Sequence, residues 1–173
     1  MAKTTKILLS AFLFLAVFAA KSALAQEVKN GLTWYTDLNK VYEVSMKTKK
    51  PVFAFFTGSD WCGWCHRMQA NVFDKPEFKA WAEKYVILLE LDFPRAKKLP
   101  DELVQQNNSL QQAFKVQGFP TIWMFDLIKD QSTGKYNINA IGSCGYPQAE
   151  AGKEAISFLV NANQILSNRQ KPQ

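Results

Sequence analysis

The chain has 173 residues, 47% of them hydrophobic, and a formal net charge of +6. Three of its basic residues, Lys3, Lys6 and Lys21, fall within the first 25 residues, where there is no acid. The other lysines are scattered along the chain, so the charge indicates a solvated, mildly basic surface and not a nucleic-acid-binding patch. No repeat or linker divides the remainder, whose length suits one domain with a substantial core.

The first 25 residues have the pattern of a secretory signal peptide. A basic start precedes an apolar run over 7–20, and Ala23-Leu24-Ala25 provides small residues before a cleavage point. The run is shorter than the roughly 20 residues that span a bilayer, although an uncleaved anchor is the alternative. We therefore predict a signal peptide at 1–25, one domain at 26–173, no membrane span after cleavage, and a periplasmic or secreted protein.

The rest of the chain alternates predicted strands and helices. The first half predicts a strand at 32–35, a helix at 38–49, a strand at 52–57, a helix ending near 74 and a helix at 77–84. The second half predicts a strand at 86–91 and an exposed excursion at 93–108 with one helical turn or more. It then predicts a helix from Ser109 to Phe114, strands at 121–125 and 137–141 joined by a turn at 130–134, and a helix within 149–168. This order predicts an α/β fold with a central mixed sheet flanked by helices on both faces.

Two cysteines, Cys62 and Cys65, lie where the strand at 52–57 gives way to a helix. The backbone N–H groups and the dipole at a helix N-terminus favour a thiolate over a thiol, and the thiolate is the reactive form. A structural disulfide with only two residues in its loop would contribute little stabilisation. The position therefore favours a redox-active pair.

Two other interpretations use the same residues. With His66, the only histidine, the motif reads Cys-x-x-Cys-His, the attachment signal of c-type haem, and Met68 or Met124 could serve as the opposite ligand. Against this interpretation, the motif follows a buried strand, whereas small cytochromes c are helical. A zinc site would take Cys62 and Cys65 and need Cys144 as a third ligand, which makes a weak signal.

Four features together resemble the thioredoxin-fold family, over most of residues 32–168. They are Trp61-Cys62-Gly63-Trp64-Cys65 after a strand, the strand at 86–91 ending in Asp92, Gly118-Phe119-Pro120-Thr121 before an apolar strand, and the final hairpin and helix. The motif style is similar to that of the secreted, periplasmic branch of the family. The resemblance implies a thiol–disulfide oxidoreductase acting on protein substrates, with reduction or isomerisation slightly preferred over oxidation. It implies no cofactor, and a membrane-bound thiol reductase as electron donor.

The resemblance also implies roles for individual residues. Cys62 is the nucleophile, exposed at the helix start, and Cys65 resolves the mixed disulfide one turn further in. Pro120 is expected to be cis and to face the cysteines, with Phe119 lining the substrate groove. Trp61 is expected to contact the substrate, and Trp64 to lie at the solvent edge of the groove. We expect Cys144, placed on a loop after the last strand, to be a free thiol without a redox role.

One position departs from the family pattern. The family carries a buried acid six residues before the first cysteine, and Phe56 occupies that position here. We therefore expect Cys65 to lack a built-in proton acceptor, and Phe56→Asp to speed its reaction. A binding or chaperone-like module that uses the groove without turnover is the alternative function.

Overall fold

The structure is a computed structural model that describes residues 26–169. The predicted signal peptide lies outside this range. Within it, no helix has the length and apolar character needed to cross a membrane.

The sheet has six strands, and its two most apolar strands lie at the centre. The strands are β1 (Gln26–Lys29), β2 (Leu32–Tyr35), β3 (Val52–Thr57), β4 (Ile87–Asp92), β5 (Thr121–Lys129) and β6 (Tyr136–Cys144). Their spatial order is β1-β2-β4-β3-β5-β6. β4 pairs in parallel with both β2 and β3, whereas β1, β5 and β6 join by antiparallel pairing. Every residue of β3 and β4 is buried, as expected for strands covered on both faces.

Helices cover the sheet on both sides. They are α1 (Leu38–Thr48), α2 (Gly63–Met68), α3 (Pro76–Tyr85), α4 (Asp101–Ala113) and α5 (Glu154–Ser167), and a π-helical turn at Gln69–Phe73 extends α2. Residues of α2, α3 and α5 belong to one apolar cluster, and residues of α1 and α4 to the other. The predicted α/β architecture, a mixed sheet between two layers of helices, is confirmed.

The alternation of side chains along β3 separates the two clusters. Phe53 and Phe55 point toward the cluster that contains both cysteines, which we name the cysteine face. Ala54 and Phe56 point toward the other cluster, the opposite face. Aromatic rings fill the cysteine face in edge-to-face and tilted pairs. They belong to Trp34, Phe53, Phe55, Phe73, Phe78, Trp81 and Phe158.

Two parts of the fold differ from the sequence-based prediction. β1 was not predicted, because its side chains are mostly exposed and show no apolar pattern. The predicted excursion at 93–108 is helical from Asp101 onward, because α4 begins after Pro100, with Asp101 and Glu102 in its first turn, and continues to Ala113 as one helix. Ser109 was expected to cap a helix, but it lies inside α4, where its hydroxyl donates to the carbonyl oxygen of Gln105.

Candidate active site

The two cysteines form a disulfide at the start of α2. Their Sγ atoms are 2.18 Å apart, and Cys62 is the N-cap of the helix. The backbone N–H of Cys65 donates to the Cys62 Sγ at 3.2 Å. Such a donor stabilises negative charge on the sulfur once the disulfide opens, which suits a nucleophilic thiolate.

Cys62 is more buried than the sequence predicts. Its side chain is 5% exposed and that of Cys65 is 2% exposed, so the expectation of an exposed Cys62 is wrong. The reason is the aromatic content of the neighbouring loops, since Phe119 and Tyr146 pack against the cluster that holds both cysteines.

A tight turn after β3 positions the cysteine motif. The carbonyl oxygen of Gly58 accepts hydrogen bonds from the backbone N–H groups of Trp61 and Cys62, at 3.1 and 2.8 Å. Gly58 has no room for a side chain, because a Cβ there would overlap the Trp61 indole. The close approach of this ring therefore requires glycine at position 58.

Two carboxylates tie the motif to the loop that follows β4. Asp92, which is buried, accepts from the backbone N–H and hydroxyl of Ser59 at 2.8 and 2.7 Å, and lies 2.8 Å from the Lys97 ammonium. Asp60 accepts from the backbone N–H groups of Arg95, Ala96 and Lys97. These bonds, that of Arg95 foremost, lower the pKa of Asp60. The loop and the cysteine motif are thus fixed to each other.

Two exposed indole rings flank the cysteine pair, and each has an arginine over its face. Trp61 is 39% exposed, donates through Nε1 to the carbonyl oxygen of Phe93 at 2.8 Å, and lies 3.9 Å from the Arg95 guanidinium. Trp64 is 53% exposed and packs against Tyr146, with the Arg67 guanidinium 4.6 Å from its ring. Both rings are accessible for contact with another chain, and their predicted substrate contacts stay predictions.

The peptide bond between Phe119 and Pro120 is cis, as predicted. Phe119 stacks on Phe93 with ring centroids 5.0 Å apart, and its centroid lies 5.9 Å from that of Trp61. The structure therefore brings Phe119 together with Trp61 beside the cysteine pair. Its proposed role in lining a groove remains a prediction.

Cys144 is the last residue of β6 and does not lie on the following loop. It is paired with Ile122 across the sheet and packs against the cysteine face. Burial raises the pKa of its thiol to about 12, which disfavours the reactive thiolate. This agrees with the expectation of an unreactive thiol. Among residues 26–169, no three His, Cys, Asp or Glu side chains come together as metal ligands.

The family pattern predicts that residue 56 lies near Cys65, but Phe56 does not. Its side chain lies on the opposite face, packed against Phe93 and Phe114. Phe55, one residue earlier, points to the cysteine face and lines a cleft with Cys65. The expectation that an acid at position 56 would serve Cys65 therefore rests on the wrong face of the sheet.

The sequence analysis missed a partly buried ion pair in that cleft. The cleft has a volume of about 290 Å³, and Lys29, Phe55, Cys65, His66, Gln69 and Glu90 are among its lining residues. Lys29 Nζ lies 2.6 Å from Glu90 Oε2, and His66 Nε2 lies 2.9 Å from the Ser59 carbonyl oxygen. The available signal was an acid inside an otherwise apolar strand, at 86–91.

The charge state of this pair follows from its surroundings. Burial alone would lower the pKa of Lys29, but the attraction and hydrogen bond of Glu90, together with the nearby Glu27, outweigh it and raise the pKa. Lys29 is therefore charged at neutral pH and holds a compensating cation next to the Glu90 carboxylate.

The fold and the site define a class of protein: a mixed sheet between helices, with a Cys-x-x-Cys disulfide at a strand-to-helix turn and a cis-proline before the next strand, is a thioredoxin-like arrangement. The chain belongs to the thioredoxin-like domain family, whose model matches residues 38–136. The predicted family is thus confirmed.

Three known proteins are similar to this chain. It is 42% identical over 84 residues to the disulfide bond reductase DsbH of Chlamydia pneumoniae, which is 49% of this chain and 51% of that protein. It is 23% identical over 164 residues to the thioredoxin-related protein DsbJ of the same organism, or 95% of this chain and 45% of that one. The chain thus spans about half the length of these relatives. A solved structure of a DsbH oxidoreductase matches with a TM-score of 0.63 at 30% identity, covering 77% of this chain and 83% of that one.

Proposed function

We propose that the protein is a thiol–disulfide oxidoreductase that exchanges disulfides with protein substrates. The observation that carries the proposal is the Cys62–Cys65 disulfide at the N-cap of α2, with a backbone N–H aimed at the Cys62 sulfur. The likeness to a protein named disulfide bond reductase supports it and favours reduction over oxidation.

The reaction follows from the positions of the two sulfurs. In the reduced protein, Cys62 as thiolate attacks a substrate disulfide and forms a mixed disulfide, and one substrate sulfur leaves as a thiolate. Cys65 then attacks Cys62, which restores the disulfide at 62–65 and releases the second substrate thiol. We assign no cofactor to these steps. A membrane-bound thiol reductase would return two electrons to the pair.

The substrate site proposed here is the surface around the pair. Trp61 and Trp64 offer exposed aromatic faces on either side of it, and Phe119 with the cis Pro120 forms a neighbouring wall. Arg95 and Arg67, stacked on the two indoles, add positive charge at the rim of this surface.

We also propose export to the periplasm, or secretion, after cleavage behind Ala25, with 26–173 as the folded domain. The sequence pattern of residues 1–25 supports this location. Mass measurement of the exported protein should give Gln26 as its first residue. Retention of Met1 in a membrane fraction would contradict the proposal.

Reduction of insulin in the presence of dithiothreitol tests the activity. The wild-type protein should accelerate insulin precipitation, Cys62→Ala should not, and Cys144→Ala should match wild type because Cys144 has no part in the exchange. A protein that binds substrates without turnover would give the uncatalysed rate in all three cases. Equilibration of the 62–65 pair against glutathione then measures its potential and the favoured direction of electron flow.

A further inference from the structure

Glu90 lies on the strand next to β3, on the face of the sheet that carries the cysteines. In the parallel pairing of β3 with β4, Glu90 is the partner of Phe55. Leu88, two residues earlier on β4, packs in the cluster that contains Cys62 and Cys65. Since residues two apart on a strand share a face, the Glu90 side chain points to the cysteine face as well.

Glu90 and Cys65 both line the same cleft. Glu90 is 8% exposed, and its charge is compensated by Lys29 through Oε2. Among the hydrogen bonds of the described residues, none involves the second oxygen, Oε1. The cleft, with a volume of about 290 Å³, is large enough to hold water molecules, and proton transfer through one water is a usual arrangement.

Burial of a carboxylate on this face costs free energy unless the carboxylate is paired or hydrogen-bonded. The β1 strand provides the partner, because it brings Lys29 over the end of the cleft. The arrangement places a carboxyl paired with Lys29 in the cleft of a buried thiol, although β3 itself carries Phe55 there. The acid missing from β3 is therefore present one strand further along.

We propose that Glu90 is the proton acceptor for Cys65 when Cys65 resolves the mixed disulfide, and that Lys29 is the positioning residue that holds the Glu90 carboxylate in the cleft. This inference rests on the proposed oxidoreductase function and adds the residue that drives its second step.

The step balances as follows. The Cys65 thiol gives its proton to the Glu90 carboxylate, directly or through one water, and the resulting thiolate attacks the Cys62 sulfur. A bond forms between the two protein sulfurs, and the bond from Cys62 to the substrate sulfur breaks. The electron pair leaves on the substrate as a thiolate. Glu90 returns its proton to solvent, and no oxidant beyond the substrate disulfide is needed.

Other charged or titratable groups surround Glu90. Lys29 and, through it, Glu27 approach from β1, and His66 approaches from α2. Asp92, two residues further along β4, is engaged with Ser59 and Lys97. Because His66 could also accept a proton, the experiment includes a variant at that position.

Reduction of Ellman's reagent by the reduced protein separates the two steps, in a Cys144→Ser background that leaves two thiols. The first thionitrobenzoate is released when Cys62 attacks, and the second when Cys65 resolves the mixed disulfide. The rate constant of the second phase should not depend on reagent concentration. Stopped-flow absorbance is recorded from pH 5 to pH 10 for the background protein, Glu90→Gln, Glu27→Gln and His66→Gln.

We expect Glu90→Gln to slow the second phase about tenfold or more at pH 7, within the range for loss of a general base. The first phase should be unchanged. The deficit should shrink as pH rises, because hydroxide then ionises Cys65 without help. Glu27→Gln, the matched control on an exposed carboxylate that also contacts Lys29, should leave both phases within about twofold of the background.

Three results would overturn the inference while leaving the proposed function intact: an unchanged second phase in Glu90→Gln, a deficit of the same size at every pH, or a larger and pH-dependent deficit in His66→Gln. Absence of a second phase in the background protein would instead contradict the proposed function.

Lys29→Gln is the second variant, should Glu90→Gln fail to fold. It keeps the carboxylate but removes the ammonium group that holds Oε2. The second phase should therefore slow while the first phase stays unchanged. A second phase at the background rate would contradict the assignment.

Discussion

The two faces of the sheet are built from different residues, although the same central strands supply both. The opposite face joins α1 and α4 through aliphatic side chains and a few rings, and its buried polar residues, Ser45 and Asn107, are neutral. The cysteine face has a larger aromatic cluster and also the buried carboxylates of Glu90, Asp92 and Asp126. Asp126 belongs to it because its neighbours Phe125 and Leu127 both point the other way.

Each of these carboxylates is paired across the fold. Glu90 meets Lys29 from β1, Asp92 meets Ser59 and Lys97, and Asp126 meets the side chain of Arg169, which follows α5. Buried charge is costly and is retained where it is paired. The comparison indicates that the opposite face is held mainly by apolar packing, whereas the cysteine face combines apolar packing with paired buried carboxylates.

The largest expected effect is on the cysteines themselves. Cys65→Ala should accumulate mixed disulfides with substrate proteins, because resolution is lost, whereas Cys62→Ala should accumulate none. Non-reducing gels of protein purified after acid quenching would show the adducts, with Cys144→Ala as the matched control. The opposite pattern would exchange the roles of the two cysteines.

Introducing a carboxyl group on each face in turn would test the difference between the two faces. Phe56→Asp places it in the apolar opposite face and should lower the free energy of unfolding by about 4 kcal/mol or more, as a lost ring and a buried polar group combine. Phe55→Asp should destabilise as well, but its carboxyl enters the cleft of Cys65. Urea denaturation measures the first effect.

Only Phe55→Asp should alter the rate at which Cys65 resolves a mixed disulfide. Stopped-flow kinetics on both variants, under conditions where each is folded, provides the measurement. A faster resolution in Phe56→Asp would mean that position 56 communicates with Cys65 despite facing away.

Removing the ion pair at the end of α5 should have a smaller effect on the free energy of unfolding. Arg169 donates from Nε and Nη2 to the Asp126 carboxylate at 2.7 to 3.1 Å. Arg169→Ala leaves that carboxylate buried without its cation, and should lower the free energy of unfolding by about 2 kcal/mol. Arg67→Ala, which removes a guanidinium stacked on an exposed ring, should cost less than about 1 kcal/mol. Equal losses in urea denaturation would contradict the distinction between paired and merely stacked arginines.

The smallest expected effect is the pH dependence of the stability that Lys29 contributes. Because its pKa is raised in the folded protein, the stability from its pairing is fully present below the unfolded value, near 10.5, and is lost as pH rises through the folded pKa. The difference in free energy of unfolding between wild type and Lys29→Gln should be about 1 kcal/mol or less at pH 8. It should shrink above about pH 10.5. A difference that grows at alkaline pH would be inconsistent with this sign.

Much of the site could be predicted because its signals are local. Three signals can each be recognised from a few consecutive residues: the apolar runs of β3 and β4, the Cys-x-x-Cys motif at a strand end, and the Gly-Phe-Pro-Thr segment. The prediction that residue 56 lies beside Cys65 was wrong, because counting back from Cys62 assumes that the strand alternation continues to the cysteine. The chain leaves β3 at Thr57 and turns through 58–61, which changes the phase.

The Lys29–Glu90 pair could not be predicted for a different reason. Its members are 61 positions apart in sequence, and they meet only through the order β1-β2-β4 in the sheet. The residues of β1 have too little apolar pattern to predict a strand. Pairing across a sheet depends on register, which no single segment encodes.

The high pKa of the Cys144 thiol, about 12, has a practical consequence for anyone who measures the oxidation state of this protein. A thiol reagent added to the folded, reduced chain at neutral pH should react quickly with the 62–65 pair, and with Cys144, whose thiolate is disfavoured, only slowly until the chain is denatured. The folded-state titre should therefore report the 62–65 pair alone. The denatured titre provides an internal standard for protein concentration, so both quantities come from one sample without a mutation.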